Sequence, residues 1–291
     1  MPFPLSSLPY GFRQRLRELA TPLEAYQLQT AAPHFSGFQP LVMLNRSDNY
    51  RVYNVDGSTS DLHFRQRNSL EKRLIPLTDN ELHLVQELWV INFKNVDKAL
   101  SIFNHCVLSP CVGLQFVQMH INLALVEKIK SSLNLKITDY NHANHIYPEL
   151  CFNACTFDPE AFPAIYRSLF KQFQRIRWYS FLKEVTWLQD MMNENVTGLH
   201  FFYVHFESPE MLDVDKTLFV QFCLAQAPHF NFSVETPRPC SDPLFKQKFD
   251  NLMSGNFAEV DNKLRHLTTT RTTVLEQFHG FYPVKYTMFQ L

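Results

Sequence analysis

LWVINFKNVDKALSIFNHCVLSPCVGLQFVQMHINLALVEKIKSSL, residues 88–133, decides the fold class. LWVINF is a short run of apolar and β-branched residues, and VDKALSIFNHC after it carries apolar residues at helical spacing. LQFVQMHI and NLALVEKIKSSL then repeat the alternation. Two strands separated by a helix-length crossover pair in parallel, because an antiparallel return needs only a tight turn.

The same rhythm continues toward the C-terminus. LKITDYN (135–141) leads through a polar loop to ELCFNACTF (149–157), and PEAFPAIYRSLFKQF (159–173) precedes RIRWYSF (175–181). EVTWLQDMM (184–192) precedes VTGLHFFYVHF (196–206), and DKTLFVQFCLAQA (215–227) precedes FNFSVET (230–236). Strands therefore recur at irregular intervals of about 15 to 30 residues, which resembles a degenerate leucine-rich-repeat solenoid more than a doubly wound sheet. The last 28 residues, 264–291, are rich in Thr, Tyr and Phe and are expected to close the sheet with antiparallel strands. Toward the N-terminus, PLVMLN (40–45), YRVYNV (50–55) and DLHFRQ (61–66) read as short strands between turn residues.

Composition removes several functions. The chain has 291 residues and a formal net charge of −1, so no polyanion or membrane surface is implied by field alone. It has 27 Phe but only 7 Gly, and no two glycines lie close enough to build a phosphate-cradling loop. Ala99 to Val126 lacks Asp, Glu, Lys and Arg, yet Asn104, His105, Pro110, Gln115, Gln118, His120 and Asn122 speak against a membrane span and for a buried helix, turn and strand. No charged segment followed by an apolar core marks a secretory signal, so the six cysteines are expected as reduced, mostly buried thiols. Asn195-Val-Thr and Asn231-Phe-Ser are accordingly not expected to carry glycan.

Two motifs suggest catalysis or metal binding. LDVDKTL (212–218) matches the Asp-x-Asp-x-Thr signature of haloacid-dehalogenase-type phosphotransferases, with Asp213 as nucleophile and Asp215 as acid/base. That chemistry needs a buried strand before the first Asp, whereas Ser208-Pro209-Glu210-Met211 precede it. Helix capping by Asp213 or Asp215 is the expected role. His142, His145, Cys151 and Cys155 have the residue types of a zinc site, but on a strand Cys151 and Cys155 stand about four rises of 3.3 Å apart, and thiolates on one zinc converge within about 4 Å. No Gly-x-Ser-x-Gly elbow and no basic stripe for nucleic acid occurs, and aromatics such as Phe201, Phe202 and Tyr203 are expected in the sheet core.

The N-terminal LPYGFRQRLRELATPLEAYQL (8–28) reads as two short helices. The first opens at Pro9 and carries Phe12, Leu16 and Leu19 along one narrow stripe. In the second, Thr21 is the N-cap, Pro22 the first helical residue and Glu24 the third, a complete capping box. Its apolar side is Leu23, Tyr26, Leu28 and Ala32.

Residues 3–35 resemble the F-box of the large nematode-type F-box families, with Phe3, Pro4, Leu5, Leu8, Pro9, Leu16, Leu19, Pro22, Glu24 and Leu28 at matching positions. Arg13 and Ala25 depart from the apolar residue and Leu usual there, and Ala31-Ala32-Pro33-His34 replaces the usual ending. Thr186 to Cys223 resembles part of the F-box-associated domain that accompanies such boxes. The resemblance implies an α/β chain with a helical F-box over 1–40 and an associated substrate-binding domain over 41–291, irregular, strand-helix and leucine-rich-repeat-like. It implies a non-enzymatic substrate receptor of a cullin-RING ubiquitin ligase, cytoplasmic or nuclear and without cofactor, that binds an unidentified protein target. Leu8, Pro9, Phe12, Leu16, Leu19, Pro22, Leu23, Tyr26 and Leu28 would dock the Skp-family adaptor, and through it the cullin. The alternative is a non-catalytic scaffold with a degenerate F-box, and the third reading is the phosphotransferase of Asp213 and Asp215.

Overall fold

The chain was studied as a computed structural model. The structure describes residues 8–32, 39, 41–53, 63–66, 74–76, 78, 80–94, 96–133, 148–182, 186–228, 230–235, 243–254, 257–259, 273–279 and 282–288. It is a mixed α/β protein with mostly parallel strand pairing, in two compact units: residues 1–112 with 127–144, and 113–126 with 145–291.

The first unit begins with helices α1 (Tyr10–Leu19) and α2 (Pro22–Ala31). Strands β1 (Met43–Tyr53), β2 (His63–Gln66), β3 (Leu74–Pro76) and β4 (Glu81–Ile91) follow, then α3 (Val96–Ile102). β1 lies parallel to β4 and antiparallel to β2, which pairs antiparallel with β3. The sequence suggested separate strands at 40–45 and 50–55. Instead one strand runs through Asn45, Ser47, Asp48 and Asn49, because its ladder with β4 extends from Met43↔Glu81 to Tyr53↔Ile91 and overrides local turn preference. α2 is part of this unit's core. Leu23 and Ala25 cluster with Val42, Leu82, Leu84 and Val107, and the Gln29 side chain exchanges hydrogen bonds of 2.9 and 3.0 Å with the Val42 backbone. The helical segment is thus packed into a larger body and does not stand apart at residue 40.

β5 (Cys106–Val117) and α4 (Leu123–Leu133) each contribute to both units. In the second unit come β6 (His120–Ile121), β7 (Glu149–Asn153), β8 (Thr156–Phe157), α5 (Ala161–Ala164) continuing as a π-helical turn to Phe170, and β9 (Arg175–Leu182). Then follow α6 (Trp187–Asn193), β10 (Phe201–Phe206), a 3-10 turn (Pro209–Leu212), α7 (Lys216–Leu224), β11 (Asn231–Glu235) and α8 (Pro243–Met253). β12 (Phe257–Glu259), β13 (Thr273–His279) and β14 (Tyr282–Met288) end the chain, the last two as the expected antiparallel pair. The expected strand at 135–141 lies outside the described residues.

Strands β5, β7, β9, β10, β11 and β13 are neighbours in that order and all parallel. Each crossover steps one strand in the same direction. Parallel crossovers are right-handed, so a run without reversal carries its helices to one face of the sheet and lacks the switch-point crevice where doubly wound sheets bind ligands. The packed face is aromatic. Trp178 on β9 has its ring centroid 4.7 Å from Phe157, 4.9 Å from Phe152 and 6.0 Å from Phe170, and Trp187 on α6 stacks on Phe232 at 6.1 Å. Asn92, Gln118 and Ala154, each one residue beyond β4, β5 and β7, adopt φ of 57°, 52° and 51°. This shared kink marks a structural repeat that these unlike side chains hide in the sequence.

His83, on β4, is 2 % exposed. Burial pushes its pKa below the usual imidazole value, with Glu81 opposing and His105 assisting that shift; burial does the same to His205. Because the folded state keeps these rings neutral while the unfolded chain takes up protons below about pH 6.5, stability is complete above that pH and falls as pH drops toward the depressed native values. Urea unfolding should therefore show a lower midpoint at pH 5 than at pH 7, and His83→Gln should reduce that difference.

Candidate functional sites

Two surfaces stand out, one in each unit. The first is the outer side of α1. Its inward residues are polar: Arg17 is buried and donates from Nη2 to Asn80 Oδ1 at 3.0 Å, and Arg13 donates from Nε to the Leu8 carbonyl at 2.5 Å. Three of its four large apolar residues face water. Tyr10, Phe12 and Leu19 are 67, 68 and 69 % exposed. Leu8, Leu16, Tyr26 and Leu28 are half-buried, Pro9 is exposed, and Pro22 and Leu23 are buried in the chain's own core. An open groove of about 530 Å³ runs beside the patch, lined by Leu16, Leu19, Ala20, Leu28 and Ala31 with the polar Glu24 and Gln27.

The turn into α2 is built as its sequence dictates. Glu24 Oε2 accepts from the Thr21 backbone N–H at 2.9 Å and from its hydroxyl at 2.8 Å, which holds the Glu24 pKa below its ordinary value. Phe3, Pro4 and Leu5 lie outside the described residues.

The second surface is the sheet face of the second unit that points away from the aromatic layer. Register sets Glu149, Arg175 and Phe201 side by side, and Cys151, Arg177, Tyr203 and Ser233 in the next row. Glu149 bridges both arginines, with Oε2 3.2 Å from Arg175 Nε and Oε1 3.0 Å from Arg177 Nε. Both guanidinium groups lie over the Phe201 ring, 5.2 and 5.5 Å from its centroid, and Arg177 donates from Nη1 to the Tyr179 hydroxyl at 3.1 Å. The Tyr179 and Tyr203 rings are 4.6 Å apart. Of the aromatics assigned to the core from sequence, Phe202 and Tyr203 are buried, Tyr203 on this face, and Phe201 is half-buried. The arginine pair was not singled out from sequence. Its signal was the alternation Arg-Ile-Arg-Trp-Tyr-Ser in 175–180, with Ile176, Trp178 and Ser180 buried.

The remaining candidates have other roles. Asp213 follows the 3-10 turn and not a strand, and its carboxylate meets Lys248 Nζ at 2.5 Å. Asp215 Oδ1 accepts from Leu218 N at 2.7 Å and caps α7. Cys151 lies within β7, while Cys155 lies past the Ala154 kink and donates to the Phe116 carbonyl at 3.4 Å. Burial raises these thiols to about 12 and about 11. His142 and His145 lie outside the described residues, and among those described no metal-holding group of three His, Cys, Asp or Glu occurs. Cys106, Cys151, Cys155 and Cys223 are free and buried. His120 joins Thr156 Oγ1 at 3.0 Å through Nδ1 and Asp158 Oδ1 at 3.0 Å through Nε2. This Thr-His-Asp series has the members of a hydrolase relay, but the His120 and Asp158 side chains are 44 and 47 % exposed, and in that setting the contacts tie β6 to the start of the next helix. Among the described residues, no helix is long and apolar enough to cross a membrane.

Comparison with known protein families, characterised proteins and solved structures finds no match to this chain. Its functional reading therefore rests on these two surfaces.

If Asp215 serves only as a cap, Asp215→Asn should preserve stability and Asp215→Ala should lose about 1 kcal/mol in denaturant unfolding. Magnesium-dependent phosphate release by the wild type that both substitutions abolish would show a catalytic carboxylate instead.

Proposed function

We propose that the chain is a substrate receptor of a cullin-RING ubiquitin ligase, docking a Skp-family adaptor through α1 and α2 and a target protein through the second unit. The observation that carries the reading is the inverted α1, which turns Arg13 and Arg17 toward its own chain and leaves Tyr10, Phe12 and Leu19 to water. A helix that serves only its own fold does the opposite. Burying each such side chain stabilises by roughly 1.5–3 kcal/mol, so the face offers several kcal/mol to a partner that covers it. An F-box engages its adaptor through a helical surface of this kind, and Leu16 and Leu28 in the adjacent groove occupy matching F-box positions.

The order of the parallel strands favours a leucine-rich-repeat-like reading of the second unit, in which helices cover one face and the other stays available to a target. The receptor itself performs no chemistry; other subunits transfer ubiquitin. Cytoplasmic or nuclear residence follows from that assembly. One observation favours the scaffold reading: Pro22 and Leu23, two of the nine docking residues, are buried in the chain's own core.

Adaptor copurification separates the two readings. Phe12→Glu and Leu19→Glu each place a charge on an exposed position, so the melting transition should stay unchanged while adaptor affinity falls at least about thirtyfold, the equivalent of roughly 2 kcal/mol. Leu23→Glu should instead unfold the first unit, because it buries an uncompensated carboxylate. Calorimetry that detects no adaptor binding by the wild type at micromolar concentration would leave the scaffold.

A further inference from the structure

We propose that Arg175 and Arg177 form a carboxylate-binding site on the sheet face of the second unit opposite its aromatic layer, whose occupant is an extended acidic peptide segment of a protein partner. The inference deepens the receptor reading, in which this face meets the target, and rests on it for that assignment.

The arginines are held before any ligand arrives. The Glu149 carboxylate is ion-paired with both, 3.2 and 3.0 Å from their buried Nε atoms, Phe201 lies beneath both guanidinium groups, and the Tyr179 hydroxyl accepts from Nη1 of Arg177. Among the described residues, both Nη groups of Arg175 and Nη2 of Arg177 have no protein partner. The side chains of Arg175 and Arg177 are 35 and 34 % exposed, so those donors reach water. A rigid guanidinium edge with two free parallel N–H groups is the geometric match for a carboxylate, and little side-chain entropy is lost because Glu149 and Phe201 have already fixed the group.

Charge selects among anions. Two arginines and one glutamate leave a local charge of +1, while the whole chain carries −1, so the positive site is local. The fixed Glu149 charge penalises a dianion more than a monoanion, which favours a carboxylate over a phosphate group. Around the arginines lie Phe201 and Tyr179, both half-buried, with Tyr203 buried against Tyr179, and the two half-buried rings suit apolar side chains that alternate with the acidic ones of an extended segment.

The test is fluorescence anisotropy with the full chain, without adaptor, and a fluorescein-labelled peptide alternating Asp and Tyr. Saturable binding should weaken about tenfold when Asn replaces Asp, and it should weaken as salt is raised from low to physiological ionic strength. Arg175→Gln should weaken it by a similar factor. Arg175→Lys, which keeps the charge but loses the fork, should give a smaller loss. Arg167→Gln, whose partner Glu194 belongs to α6 and its C-cap and not to this face, should change nothing. Absence of binding, equal binding of the Asn peptide, or indifference to Arg175→Gln would overturn the site. Displacement of the peptide by millimolar inorganic phosphate would overturn the choice of carboxylate. Because no adaptor is present, failure here leaves the α1 docking test untouched, and failure of that test leaves this one standing.

Discussion

The second unit depends on the aromatic layer between its parallel strands and the helices that connect them. Phe152, Trp178, Phe202 and Phe232 lie on successive strands, and their rings touch those of Phe157, Phe162, Phe170, Trp187 and Phe219. Side chains alternate along a strand, so a slip of one residue would expose the whole layer and bury Arg175 and Arg177 in its place. The layer thereby fixes the register, and the register fixes which polar residues meet on the opposite face. The arginine pair and Glu149 come together because the rings behind them can pack in one way.

The first unit obeys a different constraint. Its core is closed by α2, whose Leu23 and Ala25 join Val42, Leu82, Leu84 and Val107, and Leu23 N also donates to the Asn104 carbonyl at 3.0 Å. Arg17 is the buried residue of α1, flanked by the half-buried Arg13 and Leu16, and the Arg17–Asn80 bond takes the place of an apolar seam. Reversing α1 about its axis would bury Phe12 and Leu19 but leave Asn80 without that guanidinium. The sequence of α1 encodes the outward arrangement at the level of individual positions.

Much of this was legible beforehand, and the exceptions have physical causes. The capping box of Thr21 and Glu24 is a local interaction, so spacing alone predicted it, and the same holds for the cap by Asp215 and for the strand-helix alternation from residue 88 on. β1 was misread as two pieces because its ladder partner lies far away in sequence. α8 was missed although Pro243 at its start and Phe245, Phe249 and Leu252 at helical spacing were visible. The arginine pair could be seen as an alternation on β9, but its third member, Glu149, is brought in by the β7–β9 register, which no local pattern contains. The α1 stripe was visible from its spacing; its outward direction was implied only by the resemblance, since amphipathicity gives a direction only relative to what the rest of the chain can cover.

The two surfaces differ in what they require from a partner. An exposed patch of Tyr10, Phe12 and Leu19 gains free energy from any cover that excludes water, and left bare it invites self-association. The sheet face carries no such liability, because Glu149 neutralises half of its positive charge and water solvates the remaining guanidinium edges. A ligand there must replace water by hydrogen bonds of equal quality, so affinity depends on geometry and changes steeply with the ligand's charge. Chemistry of the first kind suits a standing contact, and chemistry of the second kind suits a selective one. A receptor needs both, arranged so that neither surface has to change for the other to be filled. Here the contacts that build the α1 face lie in the first unit and those that build the arginine site lie in the second.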